Sequence, residues 1–102
     1  MPISHRVLGD GQVLEIVVSE SFDFAAAVGC LRETRGLAGR RFSGVRVRLE
    51  DVRTIESSAL GFLRYLPERH GASSCEAIAC RCAPDVLEVL ALGGFAQGGR
   101  QA

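Results

Sequence analysis

The chain has 102 residues, 47% of them hydrophobic, and its twelve cationic and twelve acidic side chains give a formal net charge of zero. This length suits one domain with one core, so residues 1–102 are expected to form a single domain. The balanced charge excludes the basic surface with which proteins bind nucleic acid or anionic membranes. Since no apolar run reaches the ~20 residues that span a bilayer and no signal-peptide pattern opens the chain, the sequence predicts a cytoplasmic protein without membrane insertion.

The first half of the chain predicts a β-hairpin followed by a helix. Val13 to Val18 has the composition of a strand, and the turn residues Gly9-Asp10-Gly11 pair it with Arg6 to Leu8. Asp23 is placed to cap the helix that follows. The apolar residues of that helix recur at helical spacing: Phe24, Ala27, Val28 and Leu31.

A central strand then leads into a pair of serines. The apolar alternation of Val45, Val47 and Leu49 predicts the strand, and Ser57 and Ser58 open the next helix. Serine is favoured at a helix N-cap, and the helix dipole makes the same position favourable for an anion such as a phosphate. This second helix carries an apolar stripe: Ala59, Leu60, Phe62, Leu63 and Leu66. Pro67 is expected to end or kink it, and Leu63 is expected to be buried.

The last part of the chain predicts a strand over Glu76 to Cys82 and a third helix with Pro84 at its first position and Gly93 just after its end. The apolar side of this helix comprises Val86, Leu87, Val89 and Leu90. Because strands and helices alternate after the hairpin, the later strands are expected to lie parallel. The fold predicted is therefore α/β, a small single-layer mixed sheet of order β-β-α-β-α-β-α with helices mainly on one face.

The cysteines suggest no metal site. They stand at positions 30, 75, 80 and 82, and Cys75-x4-Cys80-x-Cys82 contains no CxxC pair. Without a secretory signal they are expected to be reduced and to act as small buried hydrophobes, a metal or redox role being the alternative. We therefore expect no metal and no cofactor.

No enzymatic signature stands out either. A nucleophilic serine needs a base within hydrogen-bond reach. His5 lies in the N-terminal arm and His70 at a helix end, and neither has a recognisable catalytic setting. There is no glycine-rich phosphate loop of the Walker or dinucleotide type. The sequence therefore predicts a protein that is not an enzyme.

The segment Leu49-Glu50-Asp51-Val52 followed by Ile55-Glu56-Ser57-Ser58-Ala59-Leu60-Gly61 resembles the signature of the STAS family (sulfate transporter and anti-sigma-factor antagonist). In that family a strand similar to DLSGV precedes DSSGLG or DSSALG at a helix start. Phe22-Asp23-Phe24 and Ala83 to Leu90 resemble two further family segments, so the resemblance covers nearly the whole chain. It implies a STAS-like fold with a shortened C-terminus, since only Phe95 to Ala102 remain where family members usually continue into another strand.

The resemblance also implies a function, that of an anti-sigma-factor antagonist in a bacterial partner-switching system. The unphosphorylated protein would bind an anti-sigma factor that is also a serine kinase, and a PP2C-like phosphatase would reverse the modification. In phosphorylatable members the modified serine follows the motif's Asp, a position that maps onto Ser57 rather than Ser58. The residues expected to contact the partner are Asp23, Glu56, Ser57, Ser58 and Arg64.

Two residues depart from the family pattern, and other functions stay open. Glu56 replaces the usual Asp, and Arg48 stands where many members have Asp or Asn. Arg48 either points toward the site, to pair with Glu56 or a phosphate, or is a solvated charge at the end of its strand. From local sequence alone, Ser57 could simply cap its helix. The alternative function is a non-phosphorylated STAS accessory subunit of an ABC-type lipid transport system, and a ligand-sensing module is a third.

Overall fold

The computed structural model describes residues 3–37, 39–72, 74–78 and 83–92. Its elements in chain order are β1 (Ile3–Leu8), β2 (Val13–Phe22), α1 (Phe24–Glu33), a short 3-10 helix (Arg35–Leu37), β3 (Gly44–Ile55), α2 (Ser57–Arg69), β4 (Ser74–Ile78) and α3 (Pro84–Leu92). This confirms the predicted order of strands and α-helices. The expectations for Gly93 and for the chain after Phe95 lie outside the described residues.

The described strands form one mixed sheet of order β1-β2-β3-β4. β1 and β2 are antiparallel, whereas β2–β3 and β3–β4 are parallel pairs, as expected. The hairpin turn has three consecutive residues at positive φ, with Gly9 at 60°, Asp10 at 58° and Gly11 at 89°. Glycine and aspartate tolerate this left-handed conformation better than most residues, which explains why the turn forms here.

The core lies between one face of the sheet and the helices. The sheet contributes inward residues at alternate positions, including Leu14, Ile16, Val18, Val45, Val47 and Leu49. The helices contribute Ala27, Cys30, Ala59, Phe62, Leu63, Leu66, Val86 and Leu90. All of these belong to one buried cluster, so the helices pack on one face, and Leu63 is fully buried as predicted. None of the helices in the described part of the chain has the length and hydropathy needed to cross a membrane.

Several details differ from the predictions. Phe24 is 67% exposed, because as the first residue of α1 it precedes the positions that face the sheet. Pro67 does not end α2, which runs on to Arg69 while the Pro67 carbonyl accepts hydrogen bonds from the amides of His70 and Ala72. β4 begins at Ser74 rather than Glu76. The predicted continuation through residues 79–82 lies outside the described residues.

The opposite face of the sheet carries a row of alternating charges, here called the charged row: Arg6, Glu15, Arg46 and Glu76, one on each strand and adjacent in register. Arg6 Nε lies 2.6 Å from Glu15 Oε1, and Arg46 Nε lies 3.1 Å from Glu76 Oε1. Arg46 also approaches Glu15, with Nη1 3.7 Å from Oε2. Although Glu15 points away from the core, its side chain is fully buried beneath these arginines.

Arg48 belongs to the same face, and both expectations for it are wrong. Its Nε donates to Glu15 Oε2 at 2.9 Å and its Nη1 donates to Glu50 Oε1 at 2.8 Å. It is neither a solvated strand-end charge nor a partner of Glu56, because β3 continues to Ile55. Burial opposes ionisation of Glu15, but hydrogen bonds from the Arg6 and Arg48 guanidiniums outweigh it and hold the Glu15 pKa below its ordinary value of 4.5.

The lowered pKa of Glu15 predicts an acid-sensitive fold. A carboxylate whose pKa is lower in the folded state contributes stability above its unfolded pKa, and this contribution is lost as pH falls through the folded value. Urea unfolding from pH 7 to pH 3 should therefore show a loss of stability below about pH 4.5 that is smaller in Glu15→Gln than in wild type. Glu88→Gln, which changes an exposed residue of α3, is the matched control and should keep the wild-type pH dependence. Equal pH dependence in wild type and Glu15→Gln would contradict the assignment.

Candidate functional site

The candidate site forms where β2 and β3 end together. These parallel strands share Phe22–Ile55 as their last register pair, and the Glu56 amide donates to the Phe22 carbonyl at 3.0 Å. Asp23 and Glu56, the next residues on each strand, are therefore neighbours, and α1 and α2 begin at the same edge of the sheet. The structure thus brings together the residues that the sequence placed at the two helix starts.

Asp23 caps α1, as predicted. Its Oδ1 accepts a hydrogen bond from the Ala26 amide at 2.9 Å, and Ser21 Oγ lies 3.5 Å from its Oδ2. The backbone of Asp23 is extended, with φ −119° and ψ −171°, as is typical of an N-cap residue. Asp23 therefore has a structural task in addition to any contact with a partner.

The start of α2 differs from the predicted capping arrangement. Glu56, not Ser57, occupies the N-cap position, with φ −108° and ψ 146°, and its side chain makes no capping hydrogen bond. Ser57 and Ser58 are the first two residues of the helix and both are exposed; Ala59 is the first buried residue. The interpretation of Ser57 as the helix cap is therefore wrong. Ser58 Oγ instead donates weakly to Glu56 Oε1 at 3.4 Å, longer than the about 2.5–3.0 Å typical of a hydroxyl donor.

The exposed face of α2 extends the surface away from the serines. Gly61 and Arg64 follow Ser57 at helical spacing and are exposed, as is Tyr65 beside them. Arg64 thus lies two turns along the helix from Ser57, on the same side. Tyr65 and Phe24, which is next to Asp23, add exposed aromatic rings that the sequence prediction did not include. Helical spacing had placed Phe24 in the core, and no sequence signal marked Tyr65 as exposed.

Gly61 leaves this face of α2 flat. A Cβ atom built at Gly61 would meet nothing within 4 Å, and its backbone is not in the left-handed region. A glycine inside a helix costs about 0.8–1 kcal/mol relative to alanine. Neither the packing nor the backbone around Gly61 requires a glycine, so the flat surface one turn after Ser57 is obtained at a cost in helix stability.

A cleft of about 690 Å³ opens near this edge of the sheet. Its charged lining comprises Glu20, Glu50, Asp51 and Arg53. The excess of carboxylates does not suit an anionic cofactor. Across the described ranges, no three or more His, Cys, Asp or Glu side chains are arranged to hold a metal ion.

The two described cysteines are poor nucleophiles. Burial raises the pKa of the Cys30 thiol to about 12, with a further contribution from Glu33. Burial also raises the pKa of Cys75 to about 11, with a contribution from Glu76. Both thiols are therefore protonated at neutral pH, and a thiol is far less reactive than a thiolate. Cys80 and Cys82 lie outside the described residues.

Known proteins with similar sequences and structures are consistent with this architecture. No protein-family model matches the chain. A STAS-domain-containing protein of Pseudomonas aeruginosa (strain UCBPP-PA14) is 31% identical over 99 residues, which cover 95% of each chain. The anti-sigma factor antagonist SpoIIAA in its unphosphorylated form matches the structure with a TM-score of 0.70 at 14% identity, over 91% of this chain and 81% of that one. The first match carries information about family, and the second about fold alone.

Asp23 and Glu56 stand at the starts of α1 and α2, and we expect their removal to lower the free energy of unfolding by unequal amounts. Asp23→Ala removes a capping hydrogen bond and should lower the free energy of unfolding by about 1 kcal/mol. Glu56→Ala removes a side chain that makes no such bond and should cost no more than about 0.5 kcal/mol. Urea unfolding of both variants at neutral pH measures the difference. An equal or larger loss in Glu56→Ala would contradict the assignment of the caps.

Proposed function

The chain belongs to the STAS-domain family, and from this premise we propose that it is an anti-sigma-factor antagonist of a bacterial partner-switching system. In this proposal residues 1–102 act as one cytoplasmic STAS domain without catalytic activity of its own. The unphosphorylated protein binds an anti-sigma factor that is also a serine kinase, and so releases the sigma factor. Phosphorylation of Ser57 breaks that complex, and a PP2C-like phosphatase restores it.

The observation that carries the proposal is the exposed position of Ser57 beyond the cap of α2. Because Glu56 occupies the N-cap, the Ser57 hydroxyl is not used to cap the helix and lies on the surface. A kinase can therefore reach it without unfolding the helix start. Ser58 is also exposed, but its hydroxyl is directed to the Glu56 carboxylate, which favours Ser57 as the modified residue.

A phosphate on Ser57 would change the surface more than the fold. It would add about −1.5 to −2 charge, which the unpaired amides of the first helical turn attract and the carboxylates of Glu56 and Asp23 repel. The attraction of a helix end is worth about 0.3–1 kcal/mol, similar to a single surface charge interaction. The opposing contributions nearly cancel inside the protein, so we expect the partner to sense the modification by repulsion and steric clash.

The surroundings of Ser57 are suited to a protein partner. Gly61 allows close approach of another chain, and Phe24 and Tyr65 offer exposed aromatic rings on the two helices of the site. Aromatic side chains are enriched at the centres of protein interfaces, where a few of them supply most of the binding energy. Arg64 lies on the same face of α2 and would contribute a charged contact at the rim.

The test is phosphorylation by the cognate kinase in the presence of ATP. Intact-mass analysis should show one added phosphate in wild type and in Ser58→Ala, the matched control, and none in Ser57→Ala. Calorimetry should show that Ser57→Ala binds the kinase as wild type does. Ser57→Asp should bind at least tenfold more weakly, because a fixed negative charge reproduces part of the phosphate's repulsion.

The proposal is wrong if the kinase modifies neither Ser57 nor Ser58, or if Ser57→Asp binds as tightly as wild type. In either case, stable binding to the ATPase component of an ABC-type lipid transporter would make the accessory-subunit function the leading one. Modification of Ser58 alone would keep the proposed function but contradict the choice of serine.

A further inference from the structure

The charged row has no part in the proposed function. Its order of positive and negative charges is exchanged when the four strands are read in the opposite direction. Its signs alternate across the four strands, from Arg6 on the edge strand β1 to Glu76 on the edge strand β4. These two outer side chains are 64% and 42% exposed, whereas Glu15 is buried beneath the arginines and Arg46 is 34% exposed. Arg6, Arg46 and Glu76 therefore present charge to the solvent on the face of the sheet opposite the helices of the described residues.

A row of four alternating charges becomes its own complement when the order of the strands is reversed. A two-fold axis parallel to the strands, midway between β2 and β3, places β1 over β4 and β2 over β3 of a second copy. Arg6 then faces Glu76 at both ends of the row, whereas Glu15 is buried beneath the arginines of its own copy and makes no contact with the second. We propose that two copies of this chain associate through the charged row, face to face, with equivalent strands of the two copies running in the same direction.

The charge pattern favours a two-fold axis parallel to the strands over one perpendicular to them. A two-fold axis perpendicular to the strands would place each strand over itself, so that Arg6 meets Arg6 and Glu76 meets Glu76, which is repulsive. Both arrangements are two-fold and therefore isologous, and both keep the two sheets aligned, so the charge pairing alone distinguishes them. Because the formal net charge of the chain is zero, no overall repulsion between two copies opposes the approach.

The dimer leaves the candidate site accessible. Ser57 and the exposed face of α2 belong to the helical side of the sheet, whereas the charged row is on the other side. Each copy in the dimer therefore keeps its own surface for a partner, and the inference does not depend on the proposed function.

The size of the face predicts weak, salt-dependent association. Four strands about 4.8 Å apart form a face roughly 20 Å wide. With strands of 5 to 12 residues at about 3.3 Å per residue, the area of the face is roughly 500–600 Å², which is below the ~800 Å² per partner of a stable interface. The contacts are mainly between charges at the surface, and the Debye length falls from about 30 Å at 0.01 M salt to about 3 Å at 1 M. The dimer should therefore form at low ionic strength and dissociate as salt is added.

Sedimentation equilibrium of the full chain tests this. At about 0.02 M NaCl the protein should sediment as a reversible dimer, and at about 0.5 M NaCl the association constant should be at least tenfold lower. A monomer at both salt concentrations would overturn the proposal, and so would a dimer that is insensitive to salt.

Charge reversal at the two ends of the charged row identifies the interface. Arg6→Glu and Glu76→Arg should each weaken dimerisation at least tenfold, because like charges then meet twice in the two-fold dimer. An equimolar mixture of the two variants should regain wild-type association, since every reversed charge now faces an opposite one. Arg35→Glu and Glu88→Arg reverse exposed charges elsewhere and should leave dimerisation unchanged, alone or mixed.

Arg6→Glu places a carboxylate beside Glu15, so thermal unfolding must confirm that this variant is folded. If it is not, Arg6→Gln replaces it and should weaken dimerisation, and mixing it with Glu76→Arg should restore one of the two charge pairs and so only part of the association. Failure of the charge-swapped mixture to regain dimer, or an equal effect of the control reversals, would overturn the inference.

Discussion

The parallel pairing of β2 with β3 is the constraint on which the rest of the structure depends. It ends at Phe22 and Ile55, and the Glu56 amide extends it by one hydrogen bond to the Phe22 carbonyl. Two register shifts precede this end, and each inserts one additional residue into β3 relative to β2. Such bulges bend a strand and redirect the residues that follow it. Because of them the two strands end together and the starts of α1 and α2 become neighbours.

The two register shifts also explain which features of the structure could be predicted from the sequence and which could not. Apolar alternation and helical spacing located the elements, and the capping rule identified Asp23, because these signals are local. The cap of α2 depends on where β3 ends, and Val45 to Leu49 gave no indication that pairing continues to Ile55. The partner of Arg48 is Glu15, which is 33 positions away in sequence and becomes adjacent only through strand register. The two register shifts fall beside Glu50 and at Arg53, polar residues at which apolar alternation gives no sign of a change of register.

Glu56, which replaces the Asp of the family motif, occupies the N-cap of α2. This replacement affects the chemistry of the candidate site. Glutamate is a poor N-cap residue, whereas aspartate has the length to reach the amides of the first turn. With Glu56 at this position its carboxylate accepts from Ser58 instead. The helix start therefore has unpaired amides and an exposed Ser57 hydroxyl side by side, and Gly61 keeps the next turn open. A site of this kind can accept a negative charge with little change in the core.

The central claim is that this edge of the sheet and the exposed face of α2 bind the partner. Hydrogen–deuterium exchange of the chain, alone and in complex with the proposed anti-sigma factor kinase, tests it most directly. Binding should slow the exchange of amides at the start of α1 and over Ser57–Tyr65, while the exchange of amides in α3 stays unchanged. Slower exchange confined to α3 or to the strands of the charged row, with the start of α2 unaffected, would contradict it.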